Sequence, residues 1–465
     1  MNSMQIHTAS AIPKNLKIEK IYFIGIGGIG MSAIARYFNG KGIAVSGYDR
    51  KETALTKQLQ QEGIPIHYEE NISLIPKDAD VVVYTPAVPA EHKELVYYRE
   101  NNFLVVKRSD ILGWITEQTF NICIAGSHGK TTTTTLIAHI LRNSGIGCNA
   151  FLGGISANYN TNFWSSKKEI SVIEADEYDR SFLKLSPNIA IITAMDADHL
   201  DIYGTLEEVE KAYIQFASKV KNGGLLLSKY GLKKDKELPA DKHLTYSFEN
   251  KSANIFSLNK RIIKGSYHFD VSYKDELIKD FELHLGGLYN IENAVAAIGV
   301  AKYMGIDNDK IKQAVADFKG VKRRFEYYLK NENHVLIDDY AHHPEELNAL
   351  IGGIRSLFNE KLTIVFQPHL YSRTKDLADD FAKSLDKADE VILLPIYPAR
   401  ELPIEGVNSE LILNKMNLKN KRVLSKEDFL KTIKAEKPRL IALAGAGDID
   451  ELVIPVKEIL EPESK

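Results

Sequence analysis

Residues Gly126-Ser127-His128-Gly129-Lys130-Thr131-Thr132-Thr133 set a glycine-rich turn directly before a lysine and a run of hydroxyls. A turn of that kind, entered from a buried strand and leading into a helix, aims consecutive backbone N–H groups at an anion. Lys130 would then neutralise the β- and γ-phosphates of a nucleoside triphosphate, and the Thr131 hydroxyl would ligate Mg²⁺. The segment departs from the full G-x-x-x-x-G-K-[ST] pattern, because position 124 is Ile. Glu174-Ala-Asp176-Glu177-Tyr-Asp179 closes a later apolar stretch. Carboxylates in that position hold or orient Mg²⁺ in nucleotide sites, or else they cap the helix that follows. Asp196-Ala-Asp198-His199-Leu-Asp201 ends the next stretch, where an imidazole stands among three carboxylates as a metal-site candidate or as a hydrogen-bonded surface group.

Two further regions carry polar residues that core packing does not explain. Gly25-Ile-Gly27-Gly28-Ile-Gly30 fits G-x-G-x-x-G, with Asp49 following at the end of the next strand. Such glycines let the backbone approach a diphosphate, and the acid can bind a ribose hydroxyl. Taken alone this suggests NAD or FAD, although the motif does not fix the ligand. Near the other end lie Asp338-Asp339-Tyr340-Ala-His342-His343-Pro344-Glu345-Glu346 and Gln367-Pro-His369-Leu370-Tyr-Ser-Arg373-Thr374. A helix start explains Pro344 and the two glutamates, but not two adjacent histidines and a tyrosine.

The elements that must hold these residues alternate as short apolar strand, turn and amphipathic helix, the pattern of parallel sheets covered by helices. Strands are expected at 20–25, 43–48, 80–85, 120–125, 170–174, 189–194, 335–338, 362–366, 390–394 and 439–444, and helices over 33–39 and 290–304. Between Tyr246 and Leu285 the period becomes strict alternation, in Tyr267, Phe269, Val271, Tyr273 and then Phe281, Leu283, Leu285, which reads as an antiparallel hairpin turning at Lys274-Asp275-Glu276. The fold class is therefore α/β with three units, over 1–112, over 113–323 with the added hairpin, and over 324–465. In open α/β sheets ligands gather beyond the carboxyl ends of the strands, which is where every cluster above falls.

Composition narrows the classes. The chain has 465 residues, enough for about three domains at roughly 150 residues each. With 59 Lys plus Arg against 62 Asp plus Glu, it lacks the basic excess expected of a nucleic-acid or anionic-membrane binder. Two cysteines, Cys123 and Cys148, are too few for a disulfide framework and suit a reducing cytosol. The longest uncharged run of apolar character, Ile21 to Ala35, is short of the ~20 residues that span a membrane and contains four glycines. Met1 to Lys14 shows no export signal, so a cytoplasmic location is expected.

In order along the chain come the glycine fingerprint, Gly-Ser-His-Gly-Lys-Thr, Glu-Ala-Asp-Glu, Asp-His-Leu-Asp, Gly-Leu-Tyr-Asn290-Ile-Glu-Asn293 and Arg-Arg-Phe-Glu. That series resembles the Mur ligases of bacterial peptidoglycan synthesis. The resemblance covers essentially Ile18 to Asp448 and implies a Rossmann-like N-terminal domain, a central P-loop-type ATPase domain and a Rossmann-like C-terminal domain, with ATP-dependent joining of an amino acid to a UDP sugar through an acyl phosphate. It reassigns Gly25, Gly27, Gly28, Gly30 and Asp49 from NAD to the UDP sugar. It implies that Gly126, Ser127, His128, Gly129, Lys130, Thr131, Thr132, Asn293, Arg324 and Asp339 bind ATP, with Asn293 at the adenine. Thr131, Glu174 and His199 become metal ligands for Mg²⁺, with Lys130, Glu174, His199 and Arg373 the catalytic set. Asp-Asp-Tyr-Ala-His-His-Pro and Phe-Gln-Pro-His resemble the members that take UDP-N-acetylmuramate and L-alanine, which places Tyr340, His342, His369 and Arg373 around alanine. Ser127 stands where Thr is usual, and Leu370 where some members have Arg. Lys211 falls about one turn out of register with the lysine that is carbamylated in several relatives, and no modification is assigned to it. The alternatives are a ligase that recycles a preformed murein tripeptide, an NAD-dependent oxidoreductase, and a non-catalytic nucleotide switch. The oligomeric state is not legible.

Overall fold

A computed structural model describes residues 12–13, 15–196, 200–399 and 401–461. Contacts divide the chain into two compact units. The first comprises Met1–Leu258, Asp270–Phe281 and Glu292–Asp317; the second comprises Asn259–Phe269, Glu282–Ile291 and Phe318–Lys465. Among the described residues no helix is long and apolar enough to cross a membrane.

Three sheets carry the architecture. The first consists of β1 (Lys20–Ile24), β2 (Ala44–Tyr48), β3 (Ile66–His67), β4 (Val81–Tyr84) and β5 (Val105–Lys107), in the order β3-β2-β1-β4-β5 with every pair parallel. The order reverses beside β1, so the glycine turn that follows β1 sits at a topological switch point, where such sheets bind ligands. Four of the five residues of β1 are buried, as expected for a strand covered on both faces. The helix Ile29–Gly40 starts at the turn and buries Met31 to Phe38.

The second sheet has ten strands: β6 (Phe120–Ala125), β7 (Asn149–Ser156), β8 (Thr161–Trp164), β9 (Ile170–Glu174), β10 (Ile189–Ile192), β11 (Leu225–Lys229), β12 (His243–Ser247), β13 (Ile255–Ile263), β14 (Ser266–Tyr273) and β15 (Glu276–Leu283). Their order is β15-β14-β13-β12-β11-β10-β6-β9-β7-β8. Parallel pairing sets β6 between β10 and β9, with Ala125 beside Ile192 and Ile124 beside Glu174. The turns leaving these three carboxyl ends are therefore neighbours. The first two sheets share a core in which Tyr37 packs on Phe151 at 5.3 Å and Phe38 on Trp114 at 6.4 Å between ring centres.

The third sheet, in the second unit, contains β16 (Glu326–Lys330), β17 (Val335–Asp339), β18 (Leu362–Phe366), β19 (Glu390–Leu393), β20 (Lys421–Val423) and β21 (Leu440–Ala444), in the order β16-β17-β21-β18-β19-β20. Only β16, at one edge, runs antiparallel. The turns after β17, β18 and β21 thus leave the same end of adjacent strands.

The α/β reading and the hairpin of β14 and β15 agree with this architecture. The sequence did not single out β3, β5, β7, β8, β11, β12, β13, β16 or β20. β7 contains two glycines and β8 has four residues, so neither offers a clear period. β13 and β16 have mixed or partial burial, which blurs their alternation.

Candidate active site

In the first unit the phosphate-type turn is built by exclusion. Gly126 lies at φ +139°, where an added Cβ would overlap Thr193 Oγ1; Gly129 lies at φ +80°, with Asn293 Oδ1 2.6 Å from where its Cβ would be. Only glycine fits at either point. Asn293, expected at the adenine, is thus packed on the turn itself. Ser127 Oγ donates to Asp196 Oδ2 and accepts from the Asp196 N–H, both at 3.1 Å. His128 is exposed, with Nε2 3.9 Å from Asp196 Oδ2. Thr131 and Thr132 lie in the first turn of the helix Lys130–Asn143, both buried.

Lys130 Nζ donates to Gly126 O and to Glu177 Oε1, each at 2.7 Å. Glu177 is 1% exposed, and burial raises its pKa against the opposing pull of Lys130. Thr131 Oγ1 donates to Glu174 Oε1 at 3.0 Å, and the Gly153 N–H donates to Glu174 Oε2 at 3.0 Å. A Cβ on Gly153 would overlap that carboxylate, so a glycine in β7 makes room for it. A hydroxyl and a carboxylate beside a phosphate turn are hard oxygen donors. Mg²⁺ takes such donors in small number, together with waters and phosphate oxygens, and these residues fit it. His199, the other expected ligand, lies outside the described residues. Lys211 is exposed and bridges Glu207 and Glu208 at 3.3 and 3.0 Å.

The glycine turn after β1 is organised differently. Gly25 lies at φ +85°, and Gly28 is the extended residue that precedes the helix. The Gly27 N–H donates to Asp49 Oδ2 at 2.7 Å, so the acid expected at a ribose also fastens the turn. Arg108 lies against Gly30, with Nη1 2.7 Å from where a Cβ would stand, and its Nη2 donates to Asp176 Oδ2 at 3.3 Å. Sequence reasoning missed Arg108, Gly153 and the role of Glu177. Arg108 had one available signal, its place directly after the carboxyl end of β5.

The second unit gathers Arg324, Asp339, Tyr340, His342, His369 and Arg373. Asp339 ends β17 and accepts the Phe325 and Ala341 N–H groups at 2.7 and 2.8 Å; burial nevertheless pushes its pKa up to about 6. Arg324 is exposed. The Tyr340 ring lies 5.1 Å from that of His342, which lies 6.0 Å from that of His369. His342 Nδ1 is 2.9 Å from Tyr340 O, and Glu346 Oε2 accepts the N–H groups of His342 and His343 as the helix Pro344–Leu357 begins. His369 stacks on Tyr397 at 5.8 Å, and its Nδ1 is buried without a hydrogen-bond partner. Arg373, on the helix Tyr371–Asp376, buries an equally unpartnered Nη1. Burial lowers the pKa of both histidines, and the charge of Arg373 lowers each further, so both favour the neutral form. Leu370 adopts φ +70°, a conformation that costs about 1–3 kcal/mol outside glycine; its N–H donates to Tyr397 O and its carbonyl accepts from Thr374 Oγ1.

Three family models match successive stretches: the Mur ligase family catalytic domain over residues 20–119, the Mur ligase middle domain over 124–301 and the Mur ligase glutamate ligase domain over 323–449. The chain belongs to the Mur ligase family. The UDP-N-acetylmuramate–L-alanine ligase of Flavobacterium johnsoniae is 49% identical over 449 residues, covering 96% of this chain and 98% of that one. Its counterpart in Porphyromonas gingivalis is 49% identical over 453 residues, covering 96% and 99%. The crystal structure of the UDP-N-acetylmuramate–alanine ligase of Thermotoga maritima is similar, with a TM-score of 0.79 at 29% identity over 95% of this chain and 98% of that one. A murein peptide ligase from Psychrobacter arcticus shares the fold, with a TM-score of 0.65 at 22% identity over 96% and 100%. The placing of this Mur ligase within a cell-wall synthetic family is what the motif series implied.

Proposed function

We propose that this Mur ligase joins L-alanine to the lactyl carboxylate of UDP-N-acetylmuramate at the expense of ATP, a cytoplasmic step of peptidoglycan synthesis. End-to-end likeness to L-alanine ligases, at 49% identity over 96% of the chain, supports this reading most. In the assignment that follows, residues 1–112 bind the UDP sugar, 113–323 bind ATP and 324–465 bind the amino acid.

A carboxylate does not condense with an amine in water, because its carbon is a poor electrophile and oxide a poor leaving group. Phosphoryl transfer removes both obstacles. The lactyl carboxylate oxygen bonds to the γ-phosphorus as the bond to ADP breaks, giving an acyl phosphate. Lys130, released from Glu177, offsets charge on the transferring group, and the N–H groups of Gly126 to Gly129 cradle the phosphates. Thr131 and Glu174 would hold Mg²⁺ together with His199, and the ion supplies charge neutralisation at the phosphates. Asn293 completes the nucleotide's contacts within the first unit.

Arg373 offers its unpartnered guanidinium N–H to the alanine carboxylate. His342 and His369, both biased to the neutral form, can accept the proton that the alanine ammonium must lose before attack. The free amine bonds to the acyl carbon, the carbon–oxygen bond to phosphate breaks, and phosphate leaves with the amine's second proton, so that an amide remains. Tyr340 lines the alanine side chain. Such orientation is a large lever, with effective molarities of ~10⁵ M or more.

Mass spectrometry after incubation with UDP-N-acetylmuramate, Mg²⁺, ATP and mixed amino acids should show one new species carrying a single alanine residue. Absence of any amide product would overturn the proposal. A product formed only with the murein tripeptide in competition with L-alanine would assign the recycling reaction instead.

A further inference from the structure

Arg323 has no part in the chemistry above, yet it ties together the elements that surround the proposed amino-acid site. Its Nη2 donates to Gly445 O at 2.6 Å and to Gly447 O at 3.1 Å, and its Nη1 lies 3.2 Å from Asp450 Oδ2. The guanidinium carbon sits 5.1 Å from the centre of the Tyr340 ring. Its carbonyl accepts the Tyr340 N–H at 2.6 Å, and its own N–H donates to Glu326 Oε2 at 2.8 Å. A planar fork of fixed N–H directions suits such a divided task; an ammonium on a flexible stem does not reproduce it.

The glycine turn it grips bears on the other side of the same site. Gln367 O lies 2.8 Å from where a Cβ on Gly445 would be, and Gln367 Oε1 and Tyr397 Cβ lie 2.5 and 2.6 Å from where one on Gly447 would be. Tyr397 in turn stacks on His369, takes the Leu370 N–H at 3.0 Å and donates its own N–H to Pro368 O at 2.8 Å. One arm therefore runs from Arg323 through the turn to Tyr397, His369 and Leu370, which precedes the helix of Arg373. The other arm runs through Tyr340 to His342.

The backbone around Arg323 is itself held under strain. Arg323 and Phe325 adopt φ +59° and +49°. Non-glycine residues keep such angles only where surrounding contacts over-determine them, and here the contacts are those of Arg323 together with the Phe325 N–H on Asp339.

We propose that Arg323 is a positioning residue for the amino-acid site: its guanidinium fixes the Gly445–Gly447 turn and the Tyr340 ring in one arrangement, and it touches no substrate. This rests on the reading of the second unit as the L-alanine site. Arg323→Lys keeps the charge and loses the fork, so KM for L-alanine should rise about 10- to 100-fold, the effect of one charged hydrogen-bonding group. KM for UDP-N-acetylmuramate should stay within twofold. A merely structural role lowers the folded fraction, which reduces kcat and leaves each KM where it was. An unchanged KM for alanine, or equal rises in both constants, overturns the proposal.

A second readout needs no turnover. The ring C–H resonances of His342 and His369, assigned by their loss in His342→Gln and His369→Gln, should shift in substrate-free Arg323→Lys. Unmoved resonances would overturn the positioning role even if the wild-type protein made no alanyl product, an outcome that would count against the proposed function alone. Should Arg323→Lys fail to fold, Gly447→Ala presses on Tyr397 from the other end of the same arm. It should give the same selective rise in KM, and a uniform or absent effect there overturns the proposal equally.

Discussion

The phosphate turn and the amino-acid site both follow the carboxyl ends of parallel strands, but they treat charge in opposite ways. In the turn, Lys130 is already answered by Glu177 and by the Gly126 carbonyl, and Thr131 by Glu174. In the second unit, Arg373 Nη1 and His369 Nδ1 are buried with no acceptor or donor opposite them. A buried polar group left without a partner costs about 1–3 kcal/mol. Under the proposed assignment, a triphosphate takes over a lysine that has a partner, while an α-amino acid meets polar groups that the folded chain leaves unpaired. The difference teaches that, in the proposed assignment, one site works by exchange of partners and the other by groups left ready for the ligand.

The sharpest way to break this contrast is at Lys130. Lys130→Ala should lower kcat about 10²–10³-fold in an ADP-release assay, the scale of one strong transition-state contact. The same change takes the cation away from the buried Glu177 carboxylate, so the melting temperature should drop as well, since breaking a buried pair costs about 3–5 kcal/mol. Adding Glu177→Gln should restore the melting temperature and leave turnover low. Wild-type turnover in the single variant would refute the reading of the turn.

Arg373→Ala comes next. Removing the unpartnered guanidinium should raise KM for L-alanine about 10- to 100-fold with a smaller change in kcat, and an unchanged KM would remove Arg373 from the alanine carboxylate.

Asp338 sharpens the comparison through pH. Its side chain is wholly buried, neither oxygen has a hydrogen-bond partner, and Arg323 Nε stands 3.9 Å away. Burial pushes its pKa up to about 7 from 3.8, against the pull of Arg323. The folded state thus binds a proton that the unfolded chain gives up near 3.8. The stability this proton contributes is full below pH ~4 and is lost as pH rises through about 7, at up to ~1.4 kcal/mol per pH unit inside that window. Asp338→Asn should therefore gain stability relative to wild type between pH 4 and 7 in paired denaturant melts. A constant difference across that range would contradict the assignment.

The smallest expected effect is that of Glu177→Gln alone. Trading the ionic partner of Lys130 for a neutral amide should lower KM for ATP by up to about fivefold, the ~1 kcal/mol net worth of an ordinary hydrogen bond. A rise would mean that Glu177 aligns the lysine instead of holding it in reserve.

Much of this was legible in the residues. The strands that carry both sites are short apolar runs, and the turn at 126–131 is dictated by glycines and a lysine whose types admit few other uses. Tyr340 and His342 stood out because a helix start could not account for them, and His369 and Arg373 were singled out through the resemblance. What stayed hidden depends on residues far apart in the chain. Glu177 answers Lys130 from 47 positions away, Gly153 makes room for Glu174 from another strand, and Arg108 reaches Gly30 from the end of β5. No local period or spacing encodes such pairings, because the sheet's crossover order creates them. Leu370 is a related case: its left-handed backbone is imposed by the Tyr397 and Thr374 contacts and contradicts the preference of its own side chain.

Arg108 also bears on how variants of this ligase must be interpreted. One guanidinium covers Gly30 in the turn after β1 and grips Asp176 in the acidic segment after β9. In the proposed assignment, damage at that position has no single phenotype, because it disturbs the footing of two chemically unrelated reactants together. A screen scored on the sugar nucleotide alone would misfile such a variant as a defect in one module.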